Sequence, residues 1–179
     1  FTFHGFRYAA VEGIENPRPE MFTACVMHSD MRKTGEFHCS NEKVNQLQSN
    51  ISWSLRDNFF DIPSDCPQRD ERLGWMGDAQ VFSWTAAFNR ETALFFTKWM
   101  RDVSAASSLE RGVPHIVPDI QETYSSAAWS DAAVIIPWVV YQTYGDTRIL
   151  EESWKCMHEW VDYIHNHVNE NGLWMTNYQ

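Results

Sequence analysis

The chain has 179 residues, 44% of them hydrophobic and 15% aromatic, with a formal net charge of −10 at pH 7. This is the composition of a folded globular unit and not of a disordered chain. The acidic balance argues against nucleic acid or an anionic membrane as partner, since neither attracts a negative surface, and is compatible with a neutral ligand such as a sugar.

Residues 1–12, FTFHGFRYAAVE, alternate as a strand does, with Phe6, Tyr8 and Ala10 on one face and Arg7 on the other. GIENPRPE at 13–20 is a turn-rich connection, and MFTACVMH at 21–28 reads as a second strand. Two strands make no independent core, so they are expected to lean on the helices or on β-structure upstream. The opening without an initiator Met suggests a piece of a longer protein.

From Ser40 the period changes. SNEKVNQLQSNISWSLRDNFF predicts a helix capped by Ser40, with Val44, Leu47, Ile51 and Leu55 on one face. An irregular loop, DIPSDCPQRDERLGWMGD at 61–78, interrupts it. A short helix follows over 78–88 and a longer one over 90–107, with Ala93, Phe96, Met100 and Val103 in line. A second long loop, ERGVPHIVPDIQETYSSA, is broken by Gly112, Pro114 and Pro118. WSDAAVIIPWVVYQTYG is apolar nearly all round, which predicts a buried helix bent at Pro137. Gly145 closes that helix and Asp146 caps the last one, in which Leu150, Trp154, Met157, Val161, Ile164 and Val168 recur every three or four residues. Helices alternating with two long polar and aromatic loops suit a bundle, a solenoid or an arc of an α/α barrel.

The acidic loop carries Asp61, Asp65, Asp70, Glu71 and Asp78 beside Arg69, Arg72 and Trp75. A solvated ion-pair network is the plain explanation. Pro63 and Pro67 stiffen the loop, however, and Gly74 and Gly77 let the backbone pass closely around Trp75. One protonated carboxyl, further ionised carboxylates and an aromatic platform are what glycoside hydrolysis requires. Clustered acids also bind Ca²⁺ or Mg²⁺, but DCPQRDE lacks the alternating pattern of a calcium loop and its arginines compete with a cation, so no metal and no cofactor are expected.

The remaining features have bland readings. Cys25, Cys39, Cys66 and Cys156 show no paired spacing and are expected to be buried free thiols rather than zinc ligands. Trp53, Trp84, Trp99, Trp138, Trp154 and Trp160 are expected in the helix-packing core. His158, His165 and His167 lack metal-pair spacing, while His115 is placed to line a pocket from its loop. AAVIIPWVVY is too short to span a membrane.

DIPSDCPQRDERLGWMGDAQVF closely resembles the signature of the bacterial α-L-rhamnosidases of glycoside hydrolase family 78, and the resemblance extends to FHGFRY, CSNEKVNQLQSNISWS and WSDAAVIIPWVVYQTYGD. It implies a mainly α fold, part of an (α/α)6 barrel preceded by a short β segment. Residues 1–36 would close an upstream β-sandwich region and 37–179 would begin the catalytic barrel. It also implies an inverting hydrolase of terminal rhamnosides. Glu71 matches the general acid, Asp65, Trp75 and Asp78 match residues around the bound rhamnose, and Trp129 matches an aromatic wall. Arg69, Asp70 and Asp131 would give support, Asp131 equally as a helix cap. The general base is expected in a later part of the barrel. The implied partner is a rhamnose-containing oligosaccharide or glycoside, with no nucleic acid and no membrane, and a homo-oligomer is left open. A non-catalytic sugar binder on the same scaffold, a barrel glycosidase of other specificity and a helical interaction scaffold are the alternatives.

Overall fold

The structure, a computed structural model, describes residues 3–174. Five helices carry it: α1 (Glu42–Asn58), α2 (Met76–Asn89), α3 (Ala93–Ala106), α4 (Ala132–Tyr144) and α5 (Arg148–His167). Between α1 and α2 lie two dipeptide strands, β1 (Phe59–Phe60) and β2 (Ile62–Pro63), paired antiparallel.

The strands expected at 1–12 and 21–28 do not form among the described residues. Segment 3–36 is mostly exposed and irregular, with one 3-10 turn at Pro19–Met21 and one bridge, Lys33 to Arg90. The alternation is real, but a strand exists only through its neighbour's hydrogen bonds, and no neighbouring strand is present here.

Helix α1 starts one residue later than expected. Asn41, not Ser40, is the N-cap, its side chain accepting from Lys43 N at 3.0 Å. Asn45 reinforces the start by exchanging two 2.9 Å hydrogen bonds with the backbone of Cys39. Of the predicted apolar face only Leu55 is buried, while Val44 and Leu47 are exposed.

Helix α4 is the centre of the fold, packed against α2, α3 and α5. Its apolar circumference is thereby explained, and Pro137 lies buried within it. The core joins Phe96, Trp99, Met100 and Val103 of α3 to Ala133, Ile136 and Val140 of α4, and to Ile149, Cys156 and Trp160 of α5. Each large side chain so buried contributes roughly 1.5–3 kcal/mol. The α4–α5 turn runs through Gly145 at φ 69°, the left-handed region that glycine tolerates. The N-cap of α5 is Thr147 and not the predicted Asp146, which stands one residue earlier and accepts from Arg148 N at 3.0 Å. Tyr144 Oη accepts from Thr92 N at 2.9 Å and lies 3.2 Å from Arg90 O, which fixes the α2–α3 turn to the end of α4.

Three further expectations are corrected. The buried stripe of α5 is Ile149, Ser153, Cys156 and Trp160, and the predicted Trp154 and Val161 are exposed. Both stripes have helical spacing, and spacing alone does not choose which one faces the core. Of the six tryptophans assigned to packing, Trp99 and Trp160 are buried, whereas Trp53, Trp84, Trp138 and Trp154 are 45% to 63% exposed. Of the four thiols only Cys156 is buried; Cys25 is exposed, and Cys39 and Cys66 are half-buried. No helix among the described residues is long and apolar enough to cross a membrane.

Candidate active site

The acidic loop is an ordered structure between α1 and α2. Its start is anchored where Ser64 N and Oγ both donate to Asn58 O at 2.8 Å. Asp65 closes it across eight residues: its N–H donates to Leu73 O at 3.0 Å, and its carboxylate accepts from Leu73 N at 3.0 Å. Cys66 (φ 42°) and Arg72 (φ 56°) take left-handed backbone conformations that are uncommon for non-glycine residues.

Glu71 and Trp75 stand four apart, and the Trp75 indole N–H donates to Glu71 Oε1 at 3.0 Å. The other oxygen of Glu71 is paired with the Arg69 guanidinium. The carboxylates of Glu71 and Asp65 stand beside each other with oxygens within 4.8 Å, and hydrogen bonding between them couples their titration. The Glu71 carboxyl is held below its usual range, first by that bond and then by the Trp75 indole, with the Arg69 charge adding to both. Asp65 is pushed up, chiefly by burial. A general acid calls for a raised carboxyl pKa, and Glu71 is shifted the other way. The reason is the donor set, since indole and guanidinium both favour the charged form of Glu71.

A cavity of about 690 Å³ adjoins the pair. Asp65, Cys66, Asp78 and Trp129 line it, with Phe59 and Phe82 among its apolar residues. Three expected sugar contacts, Asp65, Asp78 and Trp129, are thus brought together on one wall set. Trp129 is 41% exposed and sits directly over Gly77, where a side-chain carbon would come within 3.0 Å of its Nε1. Asp78 occupies the first turn of α2 and is exposed. Glu71 and Trp75 are not among the lining residues; Glu71 reaches the edge through its bond to Asp65, with Cys66 Sγ within 4.8 Å of both carboxylates. Gln80 lines the cavity too, and its side-chain oxygen is buried with no partner among the described residues.

The supporting residues divide. Arg69 touches Glu71 directly. Asp70 is exposed and lies 3.7 Å from Arg72, away from the cavity. Asp131 works inside the scaffold: one oxygen accepts from Ala128 N at 2.8 Å and the other from the buried Trp160 indole at 3.0 Å. It therefore holds the turn that carries Trp129 and does not line the cavity. Asp65, Cys66 and Glu71 could each offer one atom to a cation, but Arg69 already occupies Glu71.

The second long loop buttresses the first. Val117 N donates to Gly74 O at 2.9 Å, Met76 N donates to His115 O at 2.8 Å, and Trp99 Nε1 donates to Val117 O at 3.1 Å. His115 does not line the cavity but sits behind it, with Nε2 2.7 Å from Ser126 Oγ and its ring 5.9 Å from that of Trp129. Burial lowers its pKa, which keeps the imidazole neutral at pH 7. Phe59, Phe82 and Gln80 were not singled out from sequence; the helical periods around them carry no sign of which face borders a cavity.

Residues 32–179 match the bacterial alpha-L-rhamnosidase 6 hairpin glycosidase domain. An alpha-L-rhamnosidase of Formosa agariphila is 44% identical over 190 aligned positions, covering 99% of this chain and 20% of that protein. The chain spans about a fifth or less of the length of such relatives. Among solved structures, the alpha-L-rhamnosidase of Streptomyces avermitilis complexed with L-rhamnose superposes with a TM-score of 0.77 at 39% identity, over 79% of this chain and 14% of that one. That of Aspergillus terreus does so with a TM-score of 0.76 at 44% identity, over 83% of this chain and 17% of that one. The five helices are accordingly part of an α/α barrel, and the chain belongs to the bacterial alpha-L-rhamnosidase six-hairpin glycosidase domain family.

Proposed function

We propose that this chain supplies the acid side of a site that hydrolyses terminal α-L-rhamnosides with inversion. The observation that carries the reading is the Glu71 carboxylate, fixed by the Trp75 indole and Arg69 beside Asp65, at the edge of a cavity walled by Trp129. Glu71 in its protonated form donates its proton to the glycosidic oxygen, with the Asp65 carboxyl beside it. Glu71 is left ionised beside Arg69, and the developing sugar cation favours that charge. A water proton restores Glu71 after turnover. Asp65, Asp78 and the unpaired oxygen of Gln80 accept sugar hydroxyls, Trp129 packs against the apolar face of the ring, and Trp75 holds Glu71.

Inversion requires a base carboxylate roughly 6.5–9.5 Å from the acid. The Asp65 and Glu71 carboxylate oxygens lie within 4.8 Å of each other and leave no room for that water, which supports a base contributed from elsewhere in the protein. Residues 1–36 we assign to the end of an upstream β-sandwich and 37–179 to the barrel, a division that the family match from residue 32 supports.

The test uses the full-length protein with aryl α-L-rhamnosides. Glu71→Gln lowers kcat by a factor on the order of 10²–10⁴ on substrates with poor leaving groups, and far less on activated ones that depart without a proton. Equal losses on both remove Glu71 from the role, and initial release of the α-anomer by NMR contradicts inversion. A second reading, sugar binding without catalysis, is favoured by the downward shift of the Glu71 carboxyl, which disfavours its acid form; it expects rhamnose affinity with no turnover of any rhamnoside.

A further inference from the structure

We infer that residues 3–5 form a strap that sets the position of Glu71, with Gly5 and Arg72 as its positioning residues. The inference rests on Glu71 being the proton donor.

The loop bearing Glu71 is pinned at both ends by the same short segment. At one end Gly5 N donates to Pro67 O at 2.8 Å. At the other the Arg72 guanidinium donates to Phe3 O and lies over the Phe3 ring at 5.0 Å. Phe3 in turn packs on Phe60 of β1 with ring centroids 4.6 Å apart, so the strap is itself fixed to the scaffold. The pinned points adjoin the two left-handed residues, Cys66 and Arg72, that bracket Pro67–Glu71. A loop with strained residues at both ends keeps its shape only when its surroundings enforce it. The approach is tight: a Cβ on Gly5 would lie 3.0 Å from Gln68 Cα, Gln68 N and Pro67 O, so the loop would have to give by a few tenths of an ångström. These are backbone atoms and have no rotamer to move to. Gly5 and Arg72 do not line the sugar cavity, so they act on Glu71 through the loop and not on substrate.

The experiment uses the full-length protein and two rhamnosides, a phenyl glycoside that needs acid assistance and a 2,4-dinitrophenyl glycoside that does not. Arg72→Met is expected to lower kcat on the phenyl glycoside by on the order of a hundredfold, the factor that a displacement of roughly 1 Å costs, and Gly5→Ala, which shifts the loop less, by on the order of tenfold. KM and the rate on the dinitrophenyl glycoside stay near the parent values. Arg72→Lys, which keeps a cation within reach of the Phe3 carbonyl, recovers part of the loss, and circular dichroism verifies that each variant is folded. A folded variant that loses both substrates alike, or neither, overturns the strap. If Glu71→Gln discriminates between the two glycosides and the Gly5 and Arg72 variants do not, the strap alone falls. If the parent cleaves neither glycoside, the proposed function falls and the strap with it.

Discussion

Gly74→Ala examines how tightly the two long loops are fitted together. A Cβ at this position would stand 2.2 Å from Val117 O, 3.2 Å from Val117 C and 3.3 Å from Ile62 Cδ1. Favourable carbon contacts lie at about 3.5–4.0 Å, so the loops must part by on the order of 1 Å. Overpacking of this kind costs roughly 1–3 kcal/mol. The separation also loosens the Val117 N–H···O=C Gly74 bond and draws Val117 O away from the Trp99 indole. Trp99 is fully buried, so its N–H finds no water in exchange. A buried donor left alone costs about 1–3 kcal/mol more. Taking about 4 kcal/mol in all, and about 2–4 °C per kcal/mol for a chain of this size, Tm falls by roughly 8–16 °C. The site moves as well, because Leu73 and Trp75 on either side of Gly74 hold Asp65 and Glu71. Thermal unfolding followed by circular dichroism measures the first effect, and the NMR resonance of the Trp99 indole N–H reports the second bond. A Tm within about 2 °C of the parent and an unmoved indole resonance refute the reasoning, since that shift is worth only about 1 kcal/mol.

Two other outcomes follow from the same geometry. Trp75→Phe keeps an aromatic ring but removes a donor that favours ionised Glu71, so the Glu71 pKa rises; a carboxyl ¹³C titration that moves it down or not at all contradicts the assignment. Arg148 holds the Asp146 carboxyl at about 2, below its ordinary 3.8. Such a depressed group stabilises the fold fully above its unfolded pKa and ceases to as pH falls toward the folded one. Asp146→Asn therefore lowers Tm at neutral pH, and the gap from the parent closes between pH 4 and pH 2; a gap that stays constant across that range excludes the ion pair as its source.

Much of the architecture was legible because it is local. The apolar period of α3, the all-apolar α4 and the Gly145–Asp146 turn each follow from residues within one or two turns of chain. What failed depends on residues far away. The stripe of α5 that faces the core, Ile149 to Trp160, competes with an equally periodic one through Trp154, and only the packing of α3 and α4 decides between them. The strand pattern at the start is sound in sequence but has no partner strand among the described residues. In the site, Asp65, Asp78 and Trp129 gather at one cavity as the motif implied. The direction of the Glu71 shift was not legible, because it depends on Arg69 turning back on Glu71 and on which carboxyl of the pair is more deeply buried. Asp131 shows the same limit: its position before a helix suggested a cap or a ligand, whereas its partners include an indole 29 residues away.

The strap bears on the order in which the molecule is assembled. Helices α3, α4 and α5 pack on sequence neighbours, and such short-range contacts close quickly. The contact between Phe3 and Arg72 spans 69 residues, and the cost of closing a loop grows with its length, by about 0.6 kcal/mol per doubling. Helices can therefore dock before the loop of Glu71 has its final shape, leaving a chain that is compact but not yet competent. Recovery of native helix content then runs ahead of recovery of the acid's geometry in refolding. For an enzyme of this family, far-ultraviolet signal alone would overstate the fraction of molecules ready to act.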